Sequence, residues 1–222
     1  MTEKRRSGRR KKEESADTKQ SLLDAATAEF AANGFNGARV GEISERAGVN
    51  KQLVYHYFGS KDDLYVAVLE NAYRRLRESE TRLDLSGLPP PEAMRKVVEF
   101  SFDHLEEHRE FVSLLADENI HRGQRMGLTD RMEAVNRPII DLIQKTLERG
   151  ERSGDFRKGL DPLQVYLSIA SLGFFYFSNM HTLSRIFSRD LGSEDAIQER
   201  RRHVVDFAIT ALLNPDGPSA AA

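Results

Sequence analysis

Two histidines one helical turn apart, His104 and His108, have the spacing of a metal pair in this 222-residue chain. They stand at i and i+4, and Asp117, Glu118 and His121 follow nearby, so nitrogen and carboxylate ligands for one divalent ion are at hand. The rest of the sequence argues against catalytic use. No Glu occupies the position that makes a zinc-hydrolase helix, and no glycine-rich phosphate loop is present. With no cysteine and no serine elbow there is also no nucleophile to activate. Surface histidines on a helix are common, so no catalytic residue, no metal and no cofactor is expected, and a metal-dependent enzyme is the weakest reading.

A second group of residues suits base and phosphate recognition. The stretch Val40 to Leu64 (VGEISERAGVNKQLVYHYFGSKDDL) reads as helix, tight turn, helix. Ile43, Ala47, Val49, Val54 and Phe58 can pack at the junction, Gly48 supplies the turn, and Asn50 can cap the second helix. Such a hairpin holds its second helix across the domain surface, ready for the major groove. Lys51 can donate to guanine O6 or N7 or to phosphate, and Gln52 can pair with adenine. Leu53 can touch a thymine methyl. The Tyr55 and Tyr57 hydroxyls suit phosphate oxygens, with core packing as their alternative. Lys61 opens the next helix, where its charge and nearby backbone N–H groups can hold one phosphate. Residues 1–12 carry seven Lys and Arg against one Glu, a local charge of +6 in a chain of net charge −2. Duplex DNA attracts such a segment through counterion release.

The elements that must position these residues are helices throughout. Hairpin dipeptides flanked by alternating apolar residues are missing, whereas helical spacing recurs along the chain. A first helix capped by Asp17 or Thr18 carries the stripe Leu22, Ala25, Ala26, Phe30 and ends at Asn33-Gly34. Short helices follow over 40–47 and 50–58, then a long one from Lys61 to about Leu83. Ser60-Lys61-Asp62-Asp63 resembles a capping box. Leu85 to Pro91 is a turn segment and the expected hinge between domains. Further helices are expected over about 91–108, 109–121, 129–152 (kinked at Pro138), 161–188 and 194–213. The segments are read as a disordered basic arm (1–17), a helix-turn-helix domain (18–63), a ligand-binding and dimerisation domain (64–213) and a disordered tail (214–222). No uninterrupted apolar run reaches membrane-spanning length and no signal-peptide core follows the basic start, so a cytoplasmic home and no membrane partner are expected.

The stretch closely resembles the tetracycline-repressor (TetR) family of bacterial transcriptional regulators. Phe30, Gly34-Phe35, Ile43, Ala47-Gly48-Val49, Val54-Tyr55, Tyr57-Phe58, Ser60-Lys61 and Leu64 carry the resemblance, which is strong over about residues 18–70. It implies an all-α protein of about nine helices, a two-fold dimer on a palindromic operator, and repression relieved by a small-molecule effector. Two positions depart from the family pattern. Ala38-Arg39 stands where the family often has a Thr or Ser cap, so Arg39 replaces it as the phosphate contact. Tyr55-His56-Tyr57-Phe58 replaces the family's Tyr-Tyr-His-Phe, which exchanges His56 and Tyr57. The implied DNA contacts are Arg39, Lys51, Gln52, Leu53, Tyr55, His56, Tyr57 and Lys61. A DNA-binding activator, or a nucleoid-type protein without effector, is the alternative class; the ~130 residues beyond the hinge would then lack a task.

Beyond the hinge the sequence supplies aromatic and aliphatic walls with a few polar groups, the makings of a small-molecule site. The expected pocket lies between the helices from Pro91, around Pro138 and from Asp161. Phe102, Leu115, Ile139, Tyr166 and Phe174 are its expected walls, and Asn136 and Tyr166 its polar contacts. The alternative is that Pro138 bends a helix around a filled core. The helices from Asp161 and Glu194 carry broad apolar faces: Leu163, Leu167, Leu172 and Phe175 on one, and Val204, Val205, Phe207, Ala208, Ala211 and Leu212 on the other. Pairing with a two-fold copy would cover both, which makes a homodimer the expected assembly.

Overall fold

The computed structural model describes the backbone of residues 2–126 and 130–218 and the side chains of 15–126 and 133–218. Among the described residues nine helices form: α1 Thr2–Gly37, α2 Val40–Arg46, α3 Lys51–Phe58, α4 Lys61–Glu80, α5 Pro90–Glu107, α6 Arg109–Ile120, α7 Asp130–Ser153, α8 Pro162–Ile186 and α9 Glu194–Leu212. The all-helical class and the element order match the sequence reading. The first helix differs. It starts at Thr2, not Asp17, so the backbone of the basic segment is helical where a disordered arm was expected. The segment is mostly Lys, Arg and Glu, straight-chain residues that lose little freedom in a helix, with only Gly8 against them. Its basic side chains lie outside the described residues.

The chain divides into two compact units, Met1–Ala72 with Ser113–Leu128, and Tyr73–Val112 with Thr129–Ala222. The boundary therefore falls inside α4 and inside α6, not at residue 63 and not at the proline-rich turn. The reason is where the apolar faces go. Leu64, Tyr65, Val68 and Leu69 of α4 and Leu114 of α6 are all but fully buried in one core with Leu22, Ala26 and Phe30 of α1, Ile43 of α2 and Val54 of α3. The Leu85–Pro91 turn belongs wholly to the second unit. Leu85 is buried there, and the Arg149 guanidinium donates to the Leu85 and Leu88 carbonyls.

In the second unit α5 packs on α7, α8 and α9, with α7 on α8 and α8 on α9. Met94, Val98 and Phe102 of α5 are buried in this unit, as are Ile143, Phe156 and Phe177. The Phe102 and Phe177 ring centroids are 4.9 Å apart. Arg201 of α9 grips both carboxylate oxygens of Asp103 on α5, at 2.6 and 2.8 Å. α7 continues as one helix through Pro138. The start of the expected disordered tail is anchored instead. The Asn214 N–H donates to the Asp155 carbonyl at 2.8 Å, and Phe156 and Leu213 form an isolated antiparallel bridge. Residues 219–222 lie outside the described residues.

The Phe156 ring lies directly over Gly150 of α7. A Cβ built on Gly150 would sit 2.1 Å from Phe156 Cδ2. Alanine has the better helix propensity by ~1 kcal/mol, but forcing a methyl into a packed ring costs ~1–3 kcal/mol. Overpacking wins because a ring wedged in the core cannot swing aside. Gly150→Ala is expected to lower the melting temperature by ~2–6 °C. A thermal melt at or above the wild-type midpoint would show that the ring yields.

Candidate nucleic-acid interface

The α2–turn–α3 hairpin is built from a short list of local causes. Gly48 takes a left-handed φ of 66° in the turn. The Asn50 side chain accepts from the Gln52 N–H at 2.9 Å and so caps α3. Val54 is fully buried, which fixes the rotation of α3. Lys51, Gln52, Tyr55 and His56 then share the outer face, at i, i+1, i+4 and i+5, and all four are exposed. Leu53 and Tyr57 flank this face and are half-buried. The Tyr57 hydroxyl is engaged with Ser15 Oγ of α1 at 3.0 Å, so its first partner is protein.

Arg39 is exposed at the N-terminus of α2, and its side chain makes no capping bond. The cap comes from elsewhere. The Arg39 N–H donates to Glu29 Oε1 at 3.2 Å, and Arg46 sits 3.8 Å from the same carboxylate. Glu29 is a residue the sequence reading passed over. Its signal was there: it falls on the apolar stripe of α1 (22, 25, 26, 29, 30), and an acid on a buried face needs a partner. Lys61 is more committed than expected. Its ammonium donates to the Ala38 carbonyl at 2.7 Å and lies 4.8 Å from the Phe35 ring centroid. The capping motif at 60–63 forms with a variation. The Asp63 N–H donates to Ser60 Oγ, and the Ser60 hydroxyl donates to the Asp63 carboxylate.

Beneath the hairpin, Phe30, Phe35 and Tyr65 form an aromatic cluster, with Tyr65 edge-on to Phe30 at 5.0 Å and to Phe35 at 5.2 Å. The Tyr65 hydroxyl donates to Asp117 at 3.2 Å. Burial first, and then the charges of Asp117 and Glu118, push this hydroxyl well above the ordinary tyrosine range, so it stays a donor.

The residues expected to hold an effector fall into both units. Leu115 belongs to the first; Phe102, Asn136, Ile139, Tyr166 and Phe174 belong to the second. Phe102 and Ile139 are core residues there, while Asn136, Tyr166 and Phe174 are half-buried. Asn136 and Tyr166 are brought together by a residue the sequence reading missed. Buried Arg77 donates from Nε to Asn136 Oδ1 and from Nη2 to the Tyr166 hydroxyl, both at 3.0 Å, and from Nη1 to the Glu80 carboxylate. Arg77 and Glu80 continue the apolar stripe of Leu69, Tyr73 and Leu76 at helical spacing, the same signal that marked Glu29. Burial raises the Glu80 carboxyl while Arg77 opposes it. Tyr73 is pushed up to about 12, mainly by burial.

His104 and His108 do meet, with ring centroids 4.4 Å apart. Among the described residues, however, no three His, Asp or Glu side chains gather as metal ligands. Also among the described residues, no helix is long and apolar enough to cross a membrane.

A helix-turn-helix whose second helix shows an exposed polar face, carried by an all-helical chain with a larger second unit, defines a one-component DNA-binding regulator. Comparison with known proteins makes this specific. The family model described as "Bacterial regulatory proteins, tetR family" matches residues 22–68, and that described as "Tetracyclin repressor-like, C-terminal domain" matches residues 90–208. The HTH-type transcriptional repressor NicS of Pseudomonas putida is 35% identical over 195 residues, covering 88% of this chain and 92% of that protein. Among solved structures, the regulator SCO4942 of Streptomyces coelicolor superposes with a TM-score of 0.65 at 25% identity, over 88% of this chain and 98% of that one. The regulator FadR of Bacillus subtilis, solved in complex with stearoyl-CoA, shares the fold with a TM-score of 0.66 at 18% identity, over 87% and 98%. The chain belongs to the tetR family of bacterial regulatory proteins.

His104 generates a pH prediction. Burial, then His108 and Arg77, depress its pKa from 6.5 to about 4. The unfolded chain therefore binds a proton that the folded chain refuses between pH 4 and 6.5. The contribution of neutral His104 is fully present above pH 6.5 and is lost as pH falls toward 4, a change on the order of 2 kcal/mol. Urea midpoints measured over this range are expected to fall with pH in the wild type and to fall less in His104→Gln. Parallel curves for the two proteins would mean that other groups govern the acid limb.

Proposed function

We propose that the protein represses as a two-fold dimer, with the exposed face of α3 reading each half of a palindromic operator and a small-molecule effector releasing it from the second unit. The carrying observation is the set Lys51, Gln52, Tyr55 and His56, exposed together on a helix whose opposite face is locked by buried Val54. Lys51 and Gln52 stand at the N-terminal end of α3, the end that meets base edges in this docking mode. Lys51 takes guanine or phosphate, and Gln52 takes adenine N6 and N7. Tyr55 takes a phosphate, as does Arg39 from the start of α2. Leu53, Tyr57 and Lys61 are placed second to these, because Leu53 is half-buried and Tyr57 and Lys61 already have protein partners to give up. The basic stretch at residues 4–12 adds phosphate contacts outside the half-site and a steeper salt dependence.

The dimer reading rests on α8 and α9. Leu163, Leu167, Phe175 and Phe207 are about half exposed, unusual for large apolar side chains grouped on two adjacent helices. A groove of about 410 Å³ lined by Leu172, Phe207, Ala208 and Ala211 lies between them. Val204, Val205 and Leu212, by contrast, are buried within the chain and serve its own core. For the effector, Asn136 and Tyr166 around Arg77, with Phe102, Ile139 and Phe174 in the same unit, supply the mix of apolar residues and few polar groups such a site needs.

Two measurements test this reading. A duplex enriched from a random library on the wild-type protein should show a palindrome. Gln52→Ala is expected to lose ~1–3 kcal/mol of discrimination at one base pair per half-site, and a preference identical to the wild type at every position would overturn the assigned face. Phe207→Arg is expected to give monomers or insoluble protein. Equilibrium sedimentation showing a wild-type monomer at micromolar concentration would refute the dimer.

A further inference from the structure

The break near the end of α1, which leads into α2, is held by a residue distant in sequence. The helical dihedrals of α1 break at Gly34 (φ 63°, ψ 173°). Just beyond it, the Phe35 N–H donates to Asp117 Oδ2 of α6 at 3.1 Å, a contact spanning 82 residues. The same oxygen accepts from the Tyr65 hydroxyl of α4. Gly34 serves this contact twice. It adopts a φ that disfavours other residues, and a Cβ there would lie 2.8 Å from Asp117 Oδ1. Three more contacts surround the turn. The Arg125 guanidinium lies 3.8 Å from the centroid of the Phe35 ring. Its loop is fastened by buried Glu118, whose Oε1 accepts from the Arg125 N–H at 2.8 Å and the Met126 N–H at 3.1 Å. Asn36 Nδ2 meets His121 Nε2 at 3.4 Å.

This turn decides where α2 starts. Ala38 at its end accepts from Lys61, and Arg39 follows with its N–H on Glu29. α2 in turn carries α3. We infer that Asp117 is a positioning residue for DNA recognition: by pinning the Phe35 N–H it fixes the turn that orients the hairpin, and so sets how α3 presents its face to the groove. The inference rests on the reading that this face contacts bases. It adds that the C-terminal half of α6, distant in sequence from the hairpin, governs sequence discrimination without supplying a base contact.

The test uses the full chain, the duplex enriched on the wild type, and a scrambled duplex of equal length. Asp117→Ala is expected to lower the preference for the enriched over the scrambled duplex about tenfold, the loss of one well-set base contact, with helical content unchanged. Asp117→Asn is expected to keep the preference, because its amide oxygen can accept from both Phe35 and Tyr65. Asp117→Glu keeps the charge but overreaches Gly34, and is expected to lose preference as Ala does; it carries the test if the Ala variant does not fold. The chain has no cysteine, so Asn36→Cys with His121→Cys gives two unique thiols. Closing them with a short bismaleimide in the Asp117→Ala background is expected to restore the preference. A merely structural role would raise the melting temperature on cross-linking without restoring discrimination, and that result would overturn the inference. Wild-type preference in Asp117→Ala or Asp117→Glu would overturn it as well. Gln52→Ala, run in parallel, separates the two ideas. If it leaves the preference intact, the base-reading assignment fails; if it alters the preference while the Asp117 variants do not, only the positioning role fails.

Discussion

The hydrogen bond from the Phe35 N–H to Asp117 is the constraint on which the DNA-facing unit depends. A helix that must end in a tight turn leaves backbone groups without ladder partners, and a buried amide without an acceptor costs ~1–3 kcal/mol. Here the α1–α2 turn uses a carboxylate from α6, and α2 uses Glu29 from the middle of α1. The isolated first three helices would keep Glu29 but lose Asp117, the acceptor for the Phe35 N–H. That dependence explains why residues 113–128 cluster with the N-terminal unit despite their distance in sequence.

The aromatic cluster gives the polar corner its rigidity. Phe30 and Phe35 both meet Tyr65, which is fully buried and donates its hydroxyl to Asp117. Lys61 and Arg125 both lie against the Phe35 ring, so two cations sit near one aromatic side chain, with no carboxylate in direct pairing among the described residues. The Lys61 charge is therefore partly spent inside the protein, on Ala38 and on Phe35. A phosphate drawn to the start of α4 would meet this ammonium already oriented, with the N-terminus of the helix behind it. Commitment to protein and usefulness to DNA are compatible for a group with three donors, of which the Ala38 bond uses one.

Much of this was legible in the sequence, and each failure has its own cause. The hairpin was readable because each of its determinants is local: Gly48 for the turn, Asn50 for the cap, Val54 for the rotation of α3. The exposed face of α3 followed from 3.6-residue periodicity once Val54 was placed inside. The starts of α5 and α8 followed from Pro91 and from Asp161-Pro162. The unit boundary was misread because Pro and Gly near residue 87 mark a turn, whereas unit membership depends on where apolar faces are buried. Leu64, Tyr65, Val68 and Leu69 look alike in sequence whether they serve one core or the other. The helical start at Thr2 was missed because charge density suggests disorder while the same Lys, Arg and Glu are good helix formers. Glu29, Arg77 and Glu80 were overlooked although each interrupts an apolar stripe.

Arg77 and Glu80 repeat the logic of the corner in the second unit, at a higher electrostatic stake. Taking both charges out of water is expensive, and their attraction offsets this only when the remaining donors and acceptors are satisfied. The structure meets that condition on the arginine side, where Nε, Nη1 and Nη2 reach Asn136, Glu80 and Tyr166. The partners come from α4, α7 and α8, so one planar guanidinium sets the mutual register of three helices. An apolar replacement of similar volume could pack as well, but it would not specify this register, because hydrophobic contact tolerates sliding and a three-way fork does not. The cluster is also neutral as a whole: Arg77 is matched by Glu80, His104 is held unprotonated by burial, and Tyr73 keeps its proton. Charge alone therefore gives an incoming molecule little to recognise. If an effector binds this unit as proposed, discrimination would fall to shape and to how well the ligand replaces individual hydrogen bonds; a ligand taking Asn136 or Tyr166 from Arg77 would have to supply an equivalent acceptor or leave a buried cation short of one.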